Sequence, residues 1–450
     1  MYKCEVCEDE FKEKYFCKEQ NKCILHCENK HVSTFILFNE KLKEYFQKEL
    51  EFPSINLENI YFPKEYDFFH ISDLLNKDID KEICFSDCVF KNIKFHNESE
   101  VKNKLGNIKF FNCKFDEIKF EGIEFYKLVF KYNNWEKSYN IENMIFKRCE
   151  FENDFILKPN QEEQRCITNM DFSYSKFNKS FELYNISILS KLTLDSTEFY
   201  DSATFIKSRF DKISLENSTF EKNVLFNNAI FNTELNLENT FFKGEANFLN
   251  IKAKNIANRE TARIIKHSFE KLDNIIEANK FYALEMEKRE EELRDKNRDD
   301  YSLTERMIFT FHKFSSNHSQ EWLLVLLWMF NLTLVFSAFK QEICFDDQWP
   351  YIFSFLSIGL LITFIECFAL LEIKEKYKFW FFIGFGFINY ISYGVLTCDF
   401  SLICASNTFN PFSIMTGKET LTFGILMYKV AIAYLIYQFI ISIRQNTRRK

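Results

Sequence analysis

The chain has 450 residues, 46% of them hydrophobic, and a formal net charge of −7. That length holds two or three domains, and so mild a charge sets aside both a strongly basic nucleic-acid binder and an extreme acidic mimic of one. The composition is far from average: 56 Phe stand against 9 Gly and 5 Pro, as if one structural slot that wants Phe were filled many times.

The opening residues, MYKCEVCEDE, carry no apolar run behind a basic start. They do not read as a secretory signal, so the N-terminal portion is expected in the cytoplasm. In that reducing compartment 14 Cys do not read as a disulfide framework. Residues 4–31 nevertheless gather Cys4, Cys7, Cys17, Cys23, His26, Cys27 and His31. A C-x2-C pair followed by C-x2-H or C-x3-C is zinc-ligand spacing. Cys4 and Cys7 can grip one edge of a tetrahedron, and Cys23 with His26 or Cys27 can close it. The expectation is one structural zinc ion held by four of Cys4, Cys7, Cys23, His26 and Cys27, organising a segment (1–35) with little apolar core of its own. Incidental or redox-active thiols are the rival reading.

A repeat dominates the middle. Phe85, Phe90 and Phe95 are five apart, and Phe110, Phe115, Phe120, Phe125 and Phe130 keep the step. Phe146, Phe151, Phe172 and Phe177 follow after breaks. The series then runs Leu183, Ile188, Leu194, Phe199, Phe205, Phe210, Leu215, Phe220, Phe226, Phe231, Leu237, Phe242 and Phe248, in fives mixed with sixes. Two residues before many of these sits a second, usually smaller one: Ile108, Cys113, Ile118, Ile123, Cys149, Ala203, Ser208, Val224, Ala229 and Ala246. Neither the helical nor the strand period fits a step of five. A square coil with one side per five residues does. Each side would point one large and one small side chain inward, and coils would stack about 4.8 Å apart. Sixes read as local bulges, and 96–107, 131–141 and 152–169 read as loops leaving the coil. Cys88, Cys113 and Cys149 fall on the small inward slot, where Cys serves as a compact hydrophobe.

This series resembles the pentapeptide-repeat family, whose pattern is a central Leu or Phe with a small residue two before it. The resemblance covers roughly 83–248 and extends back to Leu57 and Phe62. It implies a right-handed quadrilateral β-helix over 50–252.

Residues 253–320 read as a helical connector. Ile265, Phe269, Leu272, Ile276 and Leu284 mark one face amid Lys, Glu and Asp. This stretch also resembles the linker of membrane-bound members of that family. It reads either as a capping or coupling helix or as a dimer-forming helix, the latter making a homo-oligomer.

A transmembrane domain of four helices is expected over 321–450, at about 322–338, 351–371, 379–397 and 421–443. Each run is near the roughly 20 residues that cross a bilayer. Trp322, Trp349, Tyr351, Tyr377 and Trp380 crowd the ends as an interfacial belt. Lys374, Lys376 and Lys378 between the second and third runs, and Arg444, Arg448, Arg449 and Lys450 at the tail, place both on the cytoplasmic side. Both termini are then cytoplasmic and the loops at 339–349 and 398–420 face outward, where Cys398 and Cys404 could pair. With the resemblance, this implies a multi-pass protein of a bacterial inner membrane.

Ionisable or polar groups within the runs are costly in lipid and point to function. They are Glu366, Lys429, Asn331, Asn389 and Gln438. Counting from the ends separates Glu366 from Lys429 by about 12 Å in depth, which disfavours a direct pair. The group either lines a polar path or ties helices together.

No nucleotide-binding, hydrolase or metalloprotease motif is present in the sequence, so an enzyme is not expected. The leading expectation is a membrane-anchored scaffold whose β-helix surface binds a protein partner. The alternatives are an ion channel or transporter subunit, and, by the resemblance, a DNA mimic that binds a gyrase-like protein. The mimic fits poorly, because Lys is interleaved with the acids, as in IKFFNCKFDEIKF; no nucleic acid is expected as partner.

Overall fold

Parallel strand pairing organises residues 54–253. The computed structural model describes residues 1–447 apart from 29–34, 50, 53, 69–80, 97–102, 132–140, 158–164, 295–302, 341–348 and 411–422. It divides into two units, Met1–Asp273 and Asn274–Lys450.

In the first unit, strands from Ser54–Glu58 to Lys252–Ala253 form a β-solenoid in which each strand pairs in parallel with the one a coil further on. Phe95 pairs with Phe120, and Phe120 with Phe146. Later, Met170 pairs with Leu192, Leu192 with Ile213 and Ile213 with Leu235. A coil therefore takes 25 or 26 residues early and 21 or 22 late. The late extras are absorbed where the register shifts, between Ile167 and Asn169, Ile188 and Lys191, and Phe210 and Lys212.

The inward register holds. The large residues of the series from Phe85 to Phe248 are buried, except Phe242, which is half-buried. Coil spacing and ring stacking suit each other. Phe151, Phe177, Phe199 and Phe220 stack at centroid distances of 4.6, 5.1 and 4.4 Å, nearly coplanar. Phe205, Phe226 and Phe248 stack at 4.8 and 4.9 Å. Rings of adjoining columns meet edge to face, as Phe85 and Phe90 do at 5.7 Å. Both geometries suit the aromatic quadrupole, which is why this slot prefers Phe to Leu.

The excursions are shorter than the spacing implied. Asn103–Phe111 is a strand, with buried Leu105 paired to Phe125. Phe155–Leu157 pairs with Phe181–Leu183, and Arg165–Asp171 lies on the nine-stranded ladder. Of the expected loops, 97–102, 132–140 and 158–164 lie outside the described residues. The step was obscured because Phe155 and Phe181 fill the slot that Ala203 and Val224 occupy in later coils.

The small slot also does more than fill space. Cys113 Sγ donates to Phe85 O at 3.1 Å, Ser175 Oγ to Phe146 O at 2.8 Å, Thr197 Oγ1 to Phe172 O at 2.9 Å and Thr240 Oγ1 to Leu215 O at 2.7 Å. Cys88, Cys149 and Ser218 donate in the same way to Leu57, Phe120 and Leu194. Each buried donor thus bonds a carbonyl of the preceding coil. The reading of the buried cysteines as compact hydrophobes is incomplete for that reason. Two corners of each late coil take a left-handed residue: Tyr174, Ser196, Asn217 and Asn239 at one, Asn185, Lys207, Asn228 and Asn250 at the other, with φ between 53° and 62°. Asn adopts that conformation readily.

Both ends of the solenoid are covered. Helix α1 (Phe35–Glu49) buries Phe38, Leu42 and Phe46, with Phe38 against Phe62 and Tyr66 at 5.6 and 5.7 Å. At the far end, helix α2 (Arg259–Lys271) is capped by Asn258, whose side chain accepts from Thr261 N at 2.8 Å. Thr261, Ala262, Ile265 and Phe269 are buried, and Leu237 N donates to Thr261 Oγ1 at 2.9 Å.

The continuous connector face does not form. Asp273 is left-handed (φ 53°), so α2 stops and helix α3 (Ile275–Arg294) begins anew in the second unit. Leu272 and Ile276, expected on the buried stripe, are exposed. The second unit continues with α4 (Leu303–Ser316), α5 (Trp322–Lys340), α6 (Trp349–Glu372), α7 (Glu375–Thr397), α8 (Ile403–Phe409) and α9 (Phe423–Thr447). Among the described residues three of these, α5, α7 and α9, are long and apolar enough to cross a membrane. The second expected span corresponds to α6, a continuous helix of 24 residues. Part of the stretch expected as the outward loop 398–420 is the short helix α8. There Asp399 accepts from the N–H groups of Ile403 and Cys404, and Cys398 and Cys404 are not bridged.

Candidate functional site

The N-terminal segment folds as two small antiparallel ribbons, Tyr2–Lys3 with Glu10–Phe11 and Phe16–Cys17 with Lys22–Cys23. The turn within each ribbon places its cysteines at the base. Cys4 N donates to Asp9 O at 3.0 Å, closing the first turn. His26 N and Cys27 N both donate to Cys23 O at 3.0 Å, closing a helical turn that swings His26 inward. The ligand atoms of Cys4, Cys7, Cys23 and His26 come within 4.8 Å of one another. His26 Nδ1 stands 3.1 Å from Cys23 Sγ and 3.7 Å from Cys4 Sγ. Ligands of a zinc tetrahedron stand about 3.5–3.8 Å apart, so the four residues can hold a metal ion. Cys23 N donates to Cys4 Sγ at 3.2 Å. The hydrogen bond with Cys23 draws the Cys7 thiol down to about 3 and pushes Cys23 up. The direction on Cys7 is the one a metal site uses, because a thiol ligates as the thiolate.

Of the five residues singled out from spacing, Cys27 is the one left outside this group. Its Sγ faces Ile24 O at 3.9 Å. His31 lies outside the described residues. The cluster is tied to the solenoid, because Tyr61 N donates to Leu25 O at 3.0 Å and Tyr15 OH donates to Glu40 of α1 at 3.1 Å.

In the second unit, three polar residues meet between apolar helices. Glu366 Oε2 accepts from Asn331 Nδ2 at 2.7 Å and from Asn389 Nδ2 at 2.6 Å, while Asn389 also donates to Asn331 Oδ1 at 3.0 Å. One carboxylate thereby joins α5, α6 and α7. Lys429 is bound elsewhere: its Nζ donates to Thr408 O at 2.7 Å and Asn410 O at 2.5 Å, neutralising the carbonyl end of α8. Gln438 Oε1 accepts from Ser316 Oγ at 3.1 Å and Ser319 Oγ at 2.8 Å, fastening α9 to the turn between α4 and α5. Four of the five residues, all but Asn389, are buried.

The scattered histidines of the sequence conceal a pair. His312 Nδ1 and His318 Nδ1 are 3.2 Å apart, and burial lowers His318 to about 4. No sequence motif announces the pair; a helix end at Ser316 followed by left-handed Asn317, His318 and Ser319 folds the second ring back on the first.

Residues 205–251 match the family model described as pentapeptide repeats (9 copies). Comparison with curated proteins and with solved structures gave no match. The chain thus carries pentapeptide repeats wound as a β-solenoid, followed by helices.

Proposed function

We propose that the protein is a membrane-anchored scaffold: a cytoplasmic pentapeptide-repeat solenoid, coiled right-handed with four sides, that presents its surface to a protein partner. The observation that carries this reading is the side-chain exposure of the apolar helices. Trp380, Phe387 and Tyr437 are 71%, 61% and 60% exposed on α7 and α9. Such surface is untenable in water and ordinary in lipid. Together with α6 they make four crossings. Lys374, Lys376 and Arg444 mark the cytoplasmic ends, and the termini share that side.

Among the described residues the solenoid interior is filled by buried rings, which favours binding over catalysis. On its outside, Lys and acid face each other across coils: Lys109 with Glu82 at 2.5 Å, Lys176 with Glu198 at 3.0 Å and Lys243 with Glu221 at 2.6 Å. That balance argues against mimicry of nucleic acid and for a protein partner. The metal of the N-terminal cluster is zinc, in a closed Cys3His shell with a structural role.

A channel or transporter has one observation in its favour, the Glu366 carboxylate within the helices. Its bonds to Asn331 and Asn389 suit a tie between helices better than an open path. Membrane fractionation with crosslinking tests the scaffold reading. The full chain should resist alkaline carbonate extraction, and crosslinking in cells should attach a reproducible protein to Met1–Asp273. A chain that washes off the membrane, or a reconstituted chain that conducts ions and loses conductance on Glu366→Ala, defeats it.

A further inference from the structure

Helix α4 is divided lengthwise. At 100° per residue, Glu305, Arg306, His312 and Lys313 fall on one side and Leu303, Met307, Ile308 and Phe311 on the other. The charged side meets α3: Arg289 bonds Glu305, and Lys313 Nζ reaches Glu290 Oε1 at 2.5 Å. The apolar side is 62–78% exposed. Its continuation is a tight turn into α5, an apolar helix of crossing length. A helix so divided, next to a crossing, suits the plane of the headgroups.

Between α3, α4 and the end of α6 lies a cavity of about 470 Å³. Arg294, Arg306 and Lys313 line it, with Glu290 and Glu372 as the acids. Arg294 and Lys313 both spend their charge on the single Glu290 carboxylate, each at 2.5 Å. Arg306 does not: its Nε is buried and has no hydrogen-bond partner among the described residues. A buried guanidinium nitrogen without an acceptor is costly, and a phosphate oxygen is the acceptor its fork fits best. The remaining wall is apolar, with Phe314, Phe368 and Leu371, and Phe368 is half exposed on α6 beside it. A ligand that satisfies both walls has an anionic head and a hydrocarbon tail.

We propose that this cavity binds the headgroup phosphate of an acidic phospholipid at Arg306, with the acyl chains along Phe368 and with α4 lying in the interface beside it. The proposal rests on the reading that α5, α6, α7 and α9 cross a bilayer. The full chain, extracted in mild detergent, is titrated with phosphatidylglycerol, phosphatidylcholine or inorganic phosphate, and bound lipid is counted by native mass spectrometry. Phosphatidylglycerol should be retained in preference to phosphatidylcholine. Arg306→Gln should weaken that retention about fivefold, the contribution of one basic group at an anionic headgroup. Arg306→Lys should restore part of it, which a variant that merely unfolds cannot do. Equal retention of the two lipids, or an unchanged Arg306→Gln, overturns the site while the membrane reading stands. Millimolar phosphate displacing the lipid completely overturns the choice of lipid as ligand. Failure of the chain to float with vesicles overturns the membrane reading, and the lipid site with it.

Discussion

Replacing Phe199 by Ala tests the inward register of the solenoid where it is most exposed to error. Phe199 is 1% exposed and lies between Phe177 at 5.1 Å and Phe220 at 4.4 Å. Truncation removes a full ring and leaves a void between two coils that strand pairing holds in place, so little collapse can offset it. The expected loss is about 3–5 kcal/mol, and each broken ring pair contributes about 0.5–1.5 kcal/mol of it. The adjacent Tyr200 points the other way and is 42% exposed. Tyr200→Ala should change stability by no more than about 0.5 kcal/mol. Urea unfolding of the detergent-solubilised chain, followed by protease sensitivity of the solenoid, compares the two. Because a solenoid can open locally, the fragment pattern should show cleavage starting near the substituted coil. Equal destabilisation by the two substitutions refutes the reasoning, since a one-residue shift would exchange their roles.

Elemental analysis should find one zinc per chain; Cys23→Ser should abolish it and Cys27→Ser should leave it in place, a distinction that separates the observed shell from the alternative spacing. Protonation of His318 should loosen the second unit. Its folded value of about 4 lies below the ordinary 6.5 because of burial, so between those values the unfolded chain binds the extra proton and stability falls as pH falls. His318→Gln should flatten the thermal-melting profile over that window, with His312, Glu290 and Lys313 as the neighbouring charges left in place. Glu366→Ala should lower the melting temperature of the detergent-solubilised protein by removing the acceptor shared by the Asn331 and Asn389 amides, an effect of about 1–3 kcal/mol, whereas Glu366→Gln should do less; identical melting curves for both and for the parent chain argue against the tie.

The solenoid was legible in the sequence because one side chain in five has to be large and apolar, and that demand survives one-residue bulges. It became illegible at Phe155 and Phe181, where a ring fills the slot of a small residue, and at Leu105, which follows a stretch without the pattern. The hydrogen-bonding of Cys113, Ser175 and Thr197 was hidden for another reason: burial of a small residue is visible in spacing, but its partner 25 to 29 positions earlier is not. Helix α1 left little trace, since its stripe of Phe38, Leu42 and Phe46 is short and surrounded by Lys and Glu. Two of the cluster's ligands were unambiguous as a C-x2-C pair, and only the fold of the Cys23 turn decides between His26 and Cys27. In the second unit the apolar runs were plain. The partners of Glu366 and Lys429 depended on helix packing, and the break at Asp273 on a single left-handed residue.

The bonds from the small slot to the carbonyl one coil earlier have a bearing on how such a molecule can change over time. A side chain that reaches backward by one full revolution ties its own identity to a position some two dozen residues upstream, so the flat sides must be copied as complete revolutions. The rod can therefore be lengthened only in increments of about 4.8 Å, which makes its length a quantity set in discrete steps.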